Sequence, residues 1–416
     1  TTEPDETYRV LLATIRDKGE CPCPRCLIPK GNFYRVGLLS DLAARATKMR
    51  EYFRNRIIAA RTAIYKLGAP IKGAAPEVHL KGLSLVPTLN SFAETLGPLG
   101  WDIFTMFTVD LLHEFELGVF KSVFKHLLRL LHAINPDAIN ILNARFREIC
   151  SFGKGSIRRF PPDVSDIHHR VAWHFQNVLQ CAIPVFEGLL PPEHDNVVRT
   201  LLFRLAQWHA LAKLRLHTED TLESLKYATR LLGQQLRKFQ AFTCASFQTT
   251  ELPSETAARN RRREAKFESQ KGESTSTSHP GACQLKTFNL STYKIHALGD
   301  YVDTIRMFGT TDSYSTQMLA HRQLKKFYHS TNKHDPMSQL TKQERRFTRA
   351  RRELDTQMTV TEFEEREESV PLTKHYHLSH SFHNAVSLPA FLNDHSGDPA
   401  IKDFIPNLKD HLLARL

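Results

Sequence analysis

The stretch that organises this chain runs from Ile103 to Ile134. Its first eight residues, IFTMFTVD, are mostly apolar and rich in β-branched and aromatic side chains, with no glycine or proline, which predicts a buried strand. From Leu111 onward, LLHEFELGVFKSVFKHLLRLLHAI spaces its apolar residues three and four apart, the period of an amphipathic helix. Asp110 stands at the junction. Upstream, Tyr8 to Ile15 (YRVLLATI) predicts a second strand, and Asp41 to Leu67 predicts a helix with Arg and Lys on its outer side. Leu80 to Leu96 predicts a short strand or turn and then a helix. Gly97, Pro98 and Gly100 break the pattern before the central strand.

Ser165 to Thr243 is almost wholly helical by period, in three helices near Ser165–Leu190, His194–Leu214 and Thr218–Phe242. Pro191 and Pro192 separate the first two. Thr218 followed by Glu219 and Asp220 has the form of an N-cap with an acidic first turn. The pattern lapses over Thr249 to Pro280, where Arg261, Arg262 and Arg263 precede GESTSTSHPG, and a linker or exposed loop is expected. It resumes over Lys286 to Thr331, where TYKIHALGDYVDTIRMFG and MLAHRQLKKFYHS both predict helices. The arginine-dense run Gln343–Glu353 and the acidic run Thr361–Glu368 predict a solvated helix or tail. A short helix, KDHLLARL, closes the chain.

Length and charge change this picture in two ways. A chain of 416 residues exceeds one compact core and predicts two or three domains. A net charge of +12 favours an acidic partner, nucleic acid being the commonest, with a generic basic surface as the alternative. Seven cysteines, an odd number in a long chain, do not form a disulfide framework and point to a reducing compartment. No apolar run approaches the roughly 18–20 residues of a membrane span, and no signal peptide is visible. The chain does not begin with Met, and its first residues read as mid-protein sequence, as expected of a fragment.

Three places carry candidate chemistry. Asp110 closes a predicted buried strand, where open α/β sheets place their functional groups; an Asp that merely caps the next helix would look the same. Cys21, Cys23 and Cys26 in CPCPRC have a spacing that can share a tetrahedral zinc ion. They are one ligand short, and no His or Cys follows before His79, so a tight proline-rich turn with buried thiols is the other reading. The loop SFGKGSIRRFPP sets Lys154, Arg158 and Arg159 beside glycines, which suits phosphate contact, although the spacing is not that of a P-loop.

TVDLLHEFELGVFK resembles the most characteristic stretch of fungal transposases of the Kyakuja–Dileera–Zisupton group, in particular the Plavaka type. VLLATIRDKGECPCPRCLIPK, SLVPTLNSF, GSIRRFPPDVS, LQCAIPVFEGLLPPEH, LAKLRLHTEDTL, TYKIHALGDYVDTIRMFGTTDSYSTQ and LKDHLLARL are similar to its recurring blocks, in family order over most of the chain. The resemblance implies a cut-and-paste DNA transposase of DDE type, with a mixed α/β fold: an RNase H-like core interrupted by a helical insertion. On this basis residues 1–135 are expected to form a partial core with the Cys-rich turn. Residues 136–248 would be the insertion, 249–285 a basic, Ser/Thr-rich linker, and 286–416 the helical return segment and tail.

The implied chemistry is two-metal strand cleavage and transfer with Mg²⁺ or Mn²⁺, because three carboxylates at close range need cations between them. The implied partner is double-stranded DNA at transposon ends, in the nucleus, handled by a homo-oligomer. The family's second acid maps onto Asp110. Its first is expected upstream of Thr1, although Asp5 and Asp17 flank the first predicted strand. Its third should be a Glu near TTDSYSTQ, yet no Glu occurs between Glu273 and Glu344, and Ala320 stands just before His321. Asp312 and Glu219 are the candidate substitutes, with Glu187 a further one inside the insertion. The departures leave three alternatives: a transposase, truncated or decayed; a catalytically inactive DNA-binding remnant; or a helical interaction scaffold. For DNA binding the expected phosphate contacts are Lys154, Arg158, Arg159, Arg261, Arg262 and Arg263.

Overall fold

In a computed structural model the described residues are 9–152, 157, 159–166, 172–269, 283–316, 388–396 and 401–413. They are overwhelmingly helical, and they divide into two units, 1–326 and 327–416. The expected boundary at 285/286 falls inside the first unit. In the second, the described helices are Leu388–Asp394 and Phe404–Leu413.

The central pattern forms a continuous rod, with Leu111–Phe120 wound as a π-helix and Lys121–Ile134 as an α-helix. Phe115, Val119, Phe120, Phe124, Leu127 and Leu131 are buried along it and form the spine of the main core. The three helices expected over residues 165–242 are present as Ala172–Phe186, Pro192–Ala212 and Glu219–Lys238. Thr218 caps the third with a reciprocal bond to Thr221. Trp208 locks this layer together: its ring stacks on Phe115 at 4.8 Å and meets Tyr301 edge-on at 4.7 Å, while its Nε1 donates to Thr229 Oγ1 at 2.8 Å.

The two predicted strands are not strands. Residues 9–12 are helical, with Ala13 N donating to Arg9 O at 2.9 Å, and Ile15 makes one isolated bridge to Leu85. In the second, Asp102 caps a 3₁₀ turn at Ile103–Met106 through Phe104 N at 3.0 Å. Among the described residues, β structure is limited to four isolated bridges. A short apolar run specifies burial but not backbone form. With no neighbouring strand to pair with, local bonds satisfy its polar groups. The two runs still meet: Ala13, Ile15 and Phe104 share one small core.

Two other expectations change. The helix expected over 41–67 is two helices, Leu39–Thr47 and Arg54–Tyr65, because the segment between them turns inward and buries Arg50. The expected linker over 249–280 contains the helix Pro253–Ser269. That helix is anchored at its first turn by Glu255, which Arg129 grips at 2.9 and 2.8 Å and Lys125 also pairs. Burial pushes the Glu255 carboxyl up, but these cations outweigh it and hold it down at about 2.

The helix Glu219–Lys238 carries the 30–39 turn directly on its backbone. Gly37, at φ +77°, and Gly233 make the approach possible; a Cβ on Gly233 would lie 2.2 Å from Val36 O. Arg237 then donates to Val36 O at 2.8 Å. Gly233→Ala is therefore expected to destabilise the protein by about 1–3 kcal/mol through overpacking, despite the better helix propensity of alanine. Urea unfolding measures it.

Candidate functional site

Asp110 is the N-cap of the π-helix. Its backbone is extended, and its Oδ1 accepts from Leu112 N at 3.2 Å. Glu114 returns the bond by accepting from Asp110 N at 3.2 Å. The other Asp110 oxygen, Oδ2, lies 2.6 Å from His113 Nδ1 and accepts from Thr316 Oγ1 at 2.6 Å. The carboxylate is buried. Burial pushes its pKa up, but the bonds from His113 and Thr316 hold it below the usual aspartate value, so it stays charged.

π-Helical winding is rare, and its usual single-turn form is frequent at functional sites. Here the wide winding accompanies a close crossing. Gly118 lets the helix Tyr293–Ala297 lie against the rod: a Cβ there would meet Lys294 Cδ at 2.6 Å and His113 O at 2.8 Å.

From Glu114 an alternating network of charges leads away. Glu114 Oε1 accepts from Arg9 at 2.6 Å and from Tyr293 Oη at 2.9 Å, and Arg25 stands at 3.5 Å. Arg25 Nε donates to Asp300 Oδ2 at 2.7 Å. Arg45 also pairs with Asp300, and with Asp41 at 2.9 Å. Burial alone would raise the Asp300 pKa; Arg45 and Arg25 reverse this and depress it far below the ordinary aspartate value. Side chains separated by more than 250 residues of sequence are joined here, which makes the network a tie between the two ends of the first unit.

Arg45 leads on to the cysteines. Its NH2 lies 2.9 Å from His296 Nδ1 and 2.7 Å from His296 O. On the far side of the ring, His296 Nε2 is 3.2 Å from Cys26 Sγ. Cys23, Cys26 and His296 are all buried, and their ligand atoms lie within 4.8 Å of one another. Burial raises the Cys23 thiol, but hydrogen bonds from Cys26 and His296 outweigh it, favouring one thiolate on Cys23. Cys21, expected in the same group, is elsewhere: its Sγ faces Leu27 O at 3.3 Å and Gly82 O at 3.6 Å. Of the expected three cysteines, Cys23 and Cys26 converge, and the third side chain whose ligand atom joins them is His296.

The other predicted acids do not join Asp110. Asp312 is exposed on a 3₁₀ turn and accepts from Thr310 Oγ1 at 2.5 Å. Glu219 is exposed at a helix start and pairs with Arg306 at 2.7 Å. Among the described residues, no three His, Cys, Asp or Glu ligand atoms that include Asp110, Asp312 or Glu219 lie within 4.8 Å of one another. Both Asp110 oxygens already accept hydrogen bonds, and Glu114 is neutralised by arginine. This arrangement does not fit a pair of Mg²⁺ or Mn²⁺ ions, which need several carboxylate oxygens free to coordinate.

Of the expected phosphate contacts, Arg159, Arg261, Arg262 and Arg263 are exposed. Lys154 and Arg158 lie outside the described residues. Arg261, Arg262 and His132 help to line an open groove of about 1010 Å³, with Asp163 and Asp166 also on its wall. No helix among the described residues is long and apolar enough to cross a membrane. Residues the pattern did not single out are Glu114, Arg25, Arg45, Asp300, His296 and Thr316. Thr316 sits within the TTDSYSTQ block, the one signal that could have pointed to it. Compared with protein-family models, with curated proteins and with solved structures, the chain finds no match in any of the three.

Proposed function

We propose that this chain is a DNA-binding protein of transposase descent, in which Asp110 organises the fold instead of holding catalytic metal. The observation that carries the descent is the Asp110–Thr316 bond. The block around Asp110 and the block TTDSYSTQ, which the resemblance makes the homes of the second and third acids, meet across 206 residues of sequence. A threonine stands where the two touch, and among the described residues no acid from the second block joins Asp110 there. The exposed arginines of the helix Pro253–Ser269, in a chain of net charge +12, support DNA as the partner. The RNase H-like core, the nuclear location and the homo-oligomer belong to the same proposal. Circular dichroism of the full chain with a substantial β signal would support that core; a spectrum of helix alone would remove it.

The second reading is an active DDE transposase, and the same meeting of blocks favours it, since a conformational change could free Asp110 for metal. Two assays separate the readings. Binding of the full chain to duplex DNA should weaken steeply with salt. Arg261→Ala, Arg262→Ala and Arg263→Ala together should reduce the slope of log K against log salt by about one for each phosphate that is no longer neutralised. Strand transfer in Mg²⁺ should be absent. Mg²⁺-dependent strand transfer that disappears in Asp110→Asn would overturn the non-catalytic reading in favour of the second. Failure to bind any duplex at low salt would remove both and leave the helical scaffold.

A further inference from the structure

We propose that Cys23, Cys26 and His296 hold a zinc ion that joins the Cys-rich turn to the helix Tyr293–Ala297. This proposal is independent of whether the chain binds or cuts DNA. It stands on how the three ligands are presented.

The first support is the turn itself. Cys23-Pro-Arg-Cys26 is a two-residue-spaced thiol pair, and its backbone is fixed before any ion arrives. Arg50, 2% exposed, donates to Cys23 O at 2.9 Å, Cys21 O at 2.7 Å, Cys26 O at 3.3 Å and Leu83 O at 2.9 Å. One guanidinium thus clamps four carbonyls and sets the curve of the loop. The Arg25 N–H donates to Cys23 Sγ at 3.4 Å, the kind of backbone bond that supports a metal thiolate from outside the coordination shell.

The second support is His296. It arrives from 270 residues away with Nε2 turned to the thiols, and its ring is held by Phe33, stacked at 4.1 Å and 12°. Two thiolates and a neutral imidazole form a soft donor set that selects zinc over Mg²⁺ or Ca²⁺ and just balances its charge. Three ligands leave the fourth tetrahedral position to water. When zinc takes Nε2, the ring proton moves to Nδ1, where an Arg45 N–H now points. That N–H has another acceptor at hand, Asp41 Oδ1 at 3.4 Å. Arg45 keeps its bond to His296 O, so the ring stays in place while the proton changes nitrogen.

The test uses the full chain, purified under reducing conditions and supplied with one equivalent of Zn²⁺. Elemental analysis after gel filtration should give about one zinc per chain. X-ray absorption of this unaltered protein should show sulfur scatterers at about 2.3 Å and nitrogen at about 2.0 Å. Cys23→Ser, Cys26→Ser and His296→Ala should each lower the zinc content at least tenfold, and Cys21→Ser should leave it unchanged. The absorption measurement needs no variant, so misfolding of a substituted chain does not spoil the test. Unaltered protein that retains no zinc, a shell without sulfur, or equal loss in Cys21→Ser would overturn the proposal. The first of these outcomes would mean that His296 Nε2 simply donates to Cys26.

Discussion

Asp300→Ala is expected to lower stability by about 3–5 kcal/mol, the usual cost of breaking a buried ion pair from one side. Asp300 is the shared partner of Arg25 and Arg45, which are 11% and 7% exposed at their side chains. Its removal takes the nearest carboxylate from two buried guanidinium groups, and the desolvation they have already undergone is then only partly compensated. Arg45 retains Asp41, and Arg25 retains Glu114 at 3.5 Å as its one remaining carboxylate, beside long bonds to the carbonyls of Phe107 and Thr108. The control is Glu219→Ala, which removes an exposed pair with Arg306 and should produce no measurable change. Urea unfolding of the two variants gives the comparison. An Asp300→Ala chain as stable as Glu219→Ala would show that the charge network does not tie the ends of this unit together.

His126→Phe is expected to flatten the dependence of stability on pH. His126 lies on the central rod between Phe239, at 6.1 Å, and Phe288, at 5.3 Å, with no hydrogen-bond partner for either ring nitrogen. Burial lowers its pKa from the ordinary 6.5 to about 4, with a smaller contribution from Arg129. Between those two pH values the unfolded chain binds the proton and the folded chain does not. The protein therefore has its full stability above about pH 6.5 and loses it as the pH falls toward about 4, by up to about 3 kcal/mol from this residue. Unfolding free energies at pH 7 and pH 4.5 should differ less in His126→Phe than in the native sequence by about that amount. The comparison of slopes cancels any change in packing. Equal slopes would mean that His126 is already protonated in the fold or reaches water.

These two sites show where the residue pattern is informative. Helices with one apolar face are legible: Ala172–Phe186, Pro192–Ala212 and Glu219–Lys238 follow the 3.6-residue period, and the Pro191–Pro192 pair and the Thr218 cap mark their ends. The rod Leu111–Ile134 is legible as a helix, but its π winding is not, since apolar spacing fixes a face and not a hydrogen-bond register. Ile103–Met106 misleads because a short run of β-branched residues states only that it is buried. Pro253–Ser269 escapes for the opposite reason. Its sequence is dominated by polar and charged residues, and its first turn is held through Glu255 by two cations on another helix. At the site, Asp110 stands out by its position, but its partners do not. Glu114, Arg25 and Asp300 are ordinary charged residues until folding places them together. His296 lies far beyond the few tens of residues over which ligand spacing is normally read.

The contact of Cys26 with His296 closes a span of 270 residues, and that has a consequence for synthesis. At about 5–20 residues per second, a ribosome needs roughly 15–50 s to deliver the later partner after the earlier one. Throughout that interval the thiols of Cys23 and Cys26, and the Phe33 ring beside them, have emerged without the imidazole that packs against them. The closure entropy of so long a loop delays their union further. This corner of the protein is thus among the late parts to close on the nascent chain, and a chaperone or a protective ion would serve it while it waits.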